Sequence, residues 1–288
     1  MDIVYRFDPY APIQLNRPKS NGEALDTLSE GNGRFVAKIK HLQEIQDSKN
    51  PDPIVFPIDL VQLGVPLVDG MEQMHSPYAA ILGCADARVP VEHIFDCSSN
   101  DVFVVRVAGN VLGLECIGSI DYAATALKES IQCVIVLGHT GCGAVSAAVD
   151  IYLAPSSFAE IAFSHPVRTL IDRIMVSVRS AAAALEEVHG SHVNKKEHYR
   201  NWLINSSCFL NAAITAYDLQ REVHSVSENL AVSYTVYDMS YSTIHPTPIQ
   251  NKHQKLDKAT AFARAPKSPD ELHSIARAIA KAIPISYH

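Results

Sequence analysis

Two short runs, AAILGC (79–84) and CVIVLG (133–138), are almost wholly apolar and are each closed by a loop. Runs of this length and composition read as strands buried on both faces, and such strands demand packed layers above and below. Around them DVFVVRVAG (101–109) reads as a further strand, rich in β-branched residues and ended by Gly-Asn. SIDYAATALKES (119–130) reads as a helix, GAVSAAVDIYL opens another directly after the third strand, and LAVSYTVYDM (230–239) is a last strand. Strands alternating with helices imply right-handed crossovers, so the predicted fold is α/β: a mainly parallel sheet flanked by helices.

The outer segments read as additions to that frame. Residues 1–30 are polar and Pro-rich at the start and are expected to form an N-terminal arm; 31–288 are expected to form one domain. Phe35, Ile39, Leu42 and Ile45 predict a helix from about Gly33 to Asp47, completing a helical arm. Pro51, Pro53, Pro57 and Pro66 predict an extended connector. A long helical stretch from Ser157 to Glu187, kinked at Pro166, precedes a polar loop (189–198) and a helix from Tyr199 to Glu222. A C-terminal helix over 268–283 is expected, with Ser268 or Asp270 as its cap.

Composition narrows the function classes. The 288 residues are 47% hydrophobic and 19% charged, a globular balance, and a net charge of −7 advertises neither nucleic acid nor an anionic membrane. No apolar run approaches the ~18 residues that span a bilayer, and the N-terminal segment lacks a signal-peptide pattern, so a soluble cytoplasmic protein is expected. Six cysteines are too few for a disulfide scaffold and should stay reduced. Cys97, Cys116, Cys133 and Cys208 sit among aliphatic or small polar residues and read as packing.

Cys84 and Cys142 have different company. Cys84, Asp86 and Arg88 alternate in the loop after the first buried strand, so an extended backbone points all three to one side. His139 and Cys142 lie three apart after the other buried strand. Sites in open α/β sheets form beyond the carboxyl ends of strands, and both loops lie there. If the strands are neighbours, two thiolates and one imidazole converge, a donor set suited to zinc with a fourth position left open. Asp86 is the local candidate for that fourth position, and Arg88 competes for it. Each motif alone reads better as packing or a turn; the pair together, with Asp86 and Arg88 alongside, favours a metal site.

In combination, CADARVPVEHIF, DVFVVRVAGN, SIDYAATAL and VIVLGHTGCG resemble the β-class carbonic anhydrases, whose signature is Cys-x-Asp-x-Arg followed by His-x-x-Cys. EGNGRFV (30–36) and LAVSYTVYD (230–238) extend the resemblance over roughly residues 30–250. It implies a zinc (Zn2+) enzyme interconverting carbon dioxide and bicarbonate on a dimeric or higher homo-oligomeric fold. By the same resemblance Cys84, His139 and Cys142 bind zinc, and Asp86 with Arg88 forms a catalytic dyad. Phe103, Ala108, Tyr122 and Gly143 line the substrate pocket, some of it from a partner subunit.

The chain departs from the family pattern where a Gln-x-Pro triplet is usual. It has His75-Ser76-Pro77 there, with Gln73 two places early, so His75 either joins the candidate pocket as a substitute donor or packs at a subunit contact while Gln73 or water serves the substrate. Two rivals stay open: a related hydrolase acting on carbon disulfide or carbonyl sulfide, and a non-catalytic zinc-bearing assembly subunit. The second has no need of Asp86 and Arg88.

Overall fold

The computed structural model describes residues 3–7, 17–45, 54–58, 69–70, 72, 75–249 and 260–283. Strands β1 (Ile3–Phe7) and β2 (Ile54–Ile58) pair with each other in parallel, and helix α1 (Asn21–Ile45) lies between them in sequence. The main sheet comprises β3 (Ala79–Gly83), β4 (Val102–Arg106), β5 (Cys133–His139), β6 (Val232–Asp238), β7 (Thr243–His245) and β8 (Ala263–Arg264). Its spatial order is β4-β3-β5-β6-β7, with β8 also on β6. The first four are parallel, and β7 and β8 run antiparallel to β6. The helices are α2 (Val91–Ile94), α3 (Leu114–Ala126), α4 (Gly143–Leu153), α5 (Phe158–Ile161), α6 (His165–His189), α7 (Tyr199–Val226) and α8 (Pro269–Ala282).

Every residue of β3 and β5 is buried, because each face of the sheet carries its own core. Ala80, Leu82, Val134 and Val136 pack with Ile120, Val145, Ile174 and Phe209 from α3, α4, α6 and α7. The alternating residues Ala79, Ile81, Ile135 and Leu137 pack with Leu28 of α1, Ile94 of α2 and Phe95. The doubly covered parallel sheet read from the apolar runs is therefore present, with helices at both ends of the chain. Among the described residues no helix is long and apolar enough to cross a membrane.

Four expectations need correction. α1 starts at Asn21, well ahead of Gly33, because Ser20 Oγ accepts from Glu23 N (3.3 Å) while Glu23 Oε2 accepts from Lys19 N (2.8 Å). This reciprocal cap holds the first turn, and the helix runs through Gly31 and Gly33. Gly31 is required there: a Cβ would sit 1.8 Å from the Phe95 carbonyl oxygen. α3 begins at Leu114 rather than Ser119. The stretch 157–187 is not one kinked helix: Ser164 caps α6, accepting from Val167 N (3.4 Å), and Pro166 falls in the first turn, where its missing N–H is no loss. β7 and β8 are strands absent from the sequence reading, too short at three and two residues to show a period. The connector's Pro51, Pro53 and Pro66, like Gln73, lie outside the described residues.

Candidate metal centre

β3 and β5 are adjacent, with Gly83 opposite Leu137, so the loops leaving their carboxyl ends meet. Cys84 Sγ stands 4.0 Å from Cys142 Sγ, and the ligand atoms of Cys84, His139 and Cys142 all lie within 4.8 Å of one another. All three side chains are buried. Two sulfurs at ~2.3 Å from a tetrahedral zinc would be about 3.8 Å apart, so the spacing suits that ion.

The ring of His139 is oriented by its own loop. Its Nδ1 lies 3.0 Å from the Thr140 carbonyl, which can only accept, so Nδ1 carries the proton. Nε2 is buried with no hydrogen-bond partner, a bare lone pair among the thiols. A buried acceptor left without a donor is costly unless something else fills its place, and a cation does. Donor chemistry and geometry both fit zinc.

The two cysteines are not equivalent. Gly109 N donates to Cys84 Sγ (3.3 Å), and the hydrogen bond with Cys142, followed by His139, pulls the Cys84 thiol down to about 4. Cys142 moves up for the same reason, as the partner that keeps the proton, with burial adding to it. Both must be thiolates to hold a dication.

Asp86 and Arg88 form a two-pronged pair beside this trio. Arg88 Nε donates to Asp86 Oδ1 (3.0 Å) and Nη2 to Oδ2 (2.7 Å), while the Arg88 backbone N–H adds a third bond to Oδ1 (2.9 Å). The guanidinium holds the Asp86 carboxyl well below the usual carboxylate range. Asp86 Oδ2 lies 4.0 Å from His139 Nε2, so an ionised acceptor faces the mouth of the site.

Arg106, at the end of β4, had no role in the sequence reading. Its Nε donates to the Cys84 carbonyl (3.0 Å) and its Nη2 to the Asp86 carbonyl (2.5 Å), pinning the backbone that carries both side chains. An arginine closing a strand of a doubly covered sheet was the available signal.

The candidate pocket residues divide into two groups. Ala108 adjoins the Gly109 turn, whose amide reaches Cys84, and Gly143 opens α4 directly after Cys142. His75, Phe103 and Tyr122 lie elsewhere. Phe103 pairs with Ala80, three residues before Gly83, so it sits roughly 10 Å back along the strand at ~3.3 Å per residue. The three rings form a strip: His75 to Phe103 is 6.0 Å between centroids and Phe103 to Tyr122 is 6.3 Å. His75 is exposed and Tyr122 is 53% exposed.

A family profile described as "Carbonic anhydrase" matches residues 79–244. The chain is 34% identical to "Carbonic anhydrase" of Mycolicibacterium smegmatis over 186 residues, covering 62% of this chain and 77% of that protein. It is also 34% identical to "Carbonic anhydrase 2" of Mycobacterium tuberculosis over 177 residues, 60% and 73% of the two chains. A shorter match, 28% over 78 residues, is to "Beta carbonic anhydrase 6, mitochondrial" of Arabidopsis thaliana, 25% of this chain and 26% of that one. With Cys-x-Asp-x-Arg and His-x-x-Cys delivered to one point by neighbouring strands, and that profile spanning both, the chain belongs to the β-class carbonic anhydrase family.

Proposed function

We propose that this chain is a zinc-dependent carbonic anhydrase interconverting carbon dioxide and bicarbonate, with Cys84, His139 and Cys142 as the zinc ligands and Asp86 with Arg88 as the dyad. The observation carrying this reading is the convergence of two thiols and a bare imidazole nitrogen within 4.8 Å, with the Asp86 carboxylate 4.0 Å from that nitrogen. Bound there, zinc would supply Lewis acidity that lowers the pKa of water, less far than in a three-histidine site because two thiolates neutralise the dication, so activity should rise through mildly alkaline pH.

The protein's own groups do the rest. Cys84 and Cys142 balance the charge of the dication, and the Thr140 carbonyl keeps the His139 proton on Nδ1. Arg88 keeps Asp86 ionised and stops its carboxylate rotating. Asp86 Oδ2 then accepts a hydrogen bond from the attacking O–H, which turns the oxygen lone pair toward the carbon of carbon dioxide. Bonded to Arg88, Asp86 would act as an orienting group, and zinc would be held by Cys84, His139 and Cys142.

The functional unit in this reading is a homodimer or larger homo-oligomer, in which His75, Phe103 and Tyr122 complete a neighbouring copy's pocket. Their distance from Cys84 in their own chain supports that division. The catalytic domain is residues 31–288, with 1–30 as its arm, although α1 crosses that boundary unbroken. All six cysteines are unpaired, which fits the cytoplasm as its compartment.

Metal analysis of wild type and Cys142→Ser, with stopped-flow hydration measured beside sulfide release from carbon disulfide, tests the reading. About one zinc per wild-type chain, sharply less in the variant, and hydration outpacing sulfide release are expected. Equal zinc in both proteins refutes the ligand set. Faster sulfide release transfers the activity to the heteroallene hydrolase, and zinc without either activity leaves an assembly subunit.

A further inference from the structure

Behind Cys84 runs a line of buried hydrogen bonds that none of the motifs contains. Ser177 of α6 is fully buried, and its Oγ donates to Asn211 Oδ1 of α7 (3.2 Å). Asn211, 3% exposed, donates from Nδ2 to the Gly109 carbonyl (2.8 Å). Gly109 in turn donates its N–H to Cys84 Sγ. The line thus links two helices of the layer covering the sheet to one sulfur of the candidate site.

Asn211 is an unexpected residue at its position, since Leu210, Ala212 and Ala213 beside it are all buried and apolar. An amide is costly there unless both its ends are bonded, as they are. Gly109 explains what the amide is for. Its φ of 67° and ψ of 17° are left-handed, and a Cβ would lie 2.7 Å from Ile174 Cδ1 and 3.2 Å from Ala144 Cβ. Only glycine fits, but glycine adopts negative φ just as readily, so sterics alone do not hold the turn in this hand. A hydrogen bond to its carbonyl does.

We propose that Asn211, braced by Ser177, is a positioning residue for Cys84: it locks the Gly109 turn so that the Gly109 amide stays on the sulfur. The inference rests on the reading that Cys84 binds zinc. An N–H bond to a ligating thiolate fixes the sulfur's direction and draws off part of its charge, and outer partners of this kind change metal affinity by about 10- to 100-fold. Asn211 touches neither substrate nor ion.

The test uses full-length protein, with zinc affinity from chelator competition and the thiolate-to-cobalt charge-transfer band of the Co2+ form. Asn211→Leu keeps the volume and removes the donor. It should weaken zinc about 10- to 100-fold and move the band to longer wavelength, because a sulfur lone pair without its hydrogen bond lies higher in energy. Ser177→Ala, the milder change, should shift the band the same way and cost about 2- to 10-fold. Ser207→Ala is the control: it too removes a fully buried hydroxyl from the helix layer, but one without a bond to the turn, and it should leave the band in place. A band unmoved in both Asn211→Leu and Ser177→Ala overturns the proposal, and so does an equal shift in Ser207→Ala. A wild-type protein that binds neither Zn2+ nor Co2+ through thiolates overturns the underlying reading instead, which separates the two failures.

Discussion

The metal pole and the aromatic strip sit at different levels on the same sheet, and they are built in opposite ways. At the pole the three candidate ligands are buried, Asp86 is held by three bonds from Arg88, and the carbonyls of Cys84 and Asp86 are pinned by Arg106. In the strip His75 and Tyr122 are exposed, Phe103 alone leans on the core, and the rings stand 6.0 and 6.3 Å apart. Preorganisation of the first kind is what a reacting centre needs, since the geometry is fixed before substrate arrives. The second kind is half a surface. In the proposed reading a single chain therefore carries a finished centre and an unfinished wall.

The comparison can be broken first at the pole. Asp86→Ala should lower hydration efficiency by about 100- to 10,000-fold while zinc content stays near wild type, because the lost group orients and does not ligate. Near-normal hydration by that variant would give Asp86 another role. At the strip, His75→Ala should lower efficiency by about 10- to 1000-fold, the range for a lost donor to substrate. Mixing His75→Ala chains with Asp86→Ala chains sharpens the point. If each strip serves its neighbour's centre, mixed oligomers contain intact composite sites and regain activity. Mixtures that regain nothing would return the strip to its own chain or to packing.

The smallest expected effect is one of pH. The Asp86 carboxyl is held below its ordinary range by Arg88. A group with a depressed folded pKa contributes fully above its unfolded value of about 3.9 and loses that contribution only as pH falls through the folded one. The wild-type to Asp86→Asn activity ratio should therefore stay level from pH 5 to 9. A ratio collapsing toward pH 5 would show that the clamp is weaker than its two-pronged geometry implies.

What the sequence made legible follows the range of the interactions. Cys84, Asp86, Arg88, His139 and Cys142 could be read because strand ends and spacings of two and three are local facts. Of the two caps offered for α8, Ser268 and Asp270, it is Ser268 that serves, accepting from Glu271 N (3.2 Å). Ser20 caps α1 with the same Ser-x-x-Glu pattern, but it falls in the stretch read as a polar, Pro-rich arm. Pro166 was read as a kink because proline breaks helices; that Ser164 starts one just ahead of it decides otherwise. Ser177 and Asn211 were beyond reach for another reason. Their partners are a backbone carbonyl and an amide brought near only by the finished packing.

The chain separations across the site have a kinetic side. The contact between Cys84 and Cys142 spans 58 residues, and that from Gly109 to Cys84 only 25. The bond from Asn211 to Gly109 spans 102, and α7 reaches the sheet only after α4, α5 and α6 have been laid down past β5. Loop closure costs more entropy the longer the loop, and contacts of high sequence separation slow folding. During synthesis, both cysteines and His139 leave the ribosome ahead of the helix that carries Asn211. The centre is assembled from local chain, and its rigidity arrives from far away.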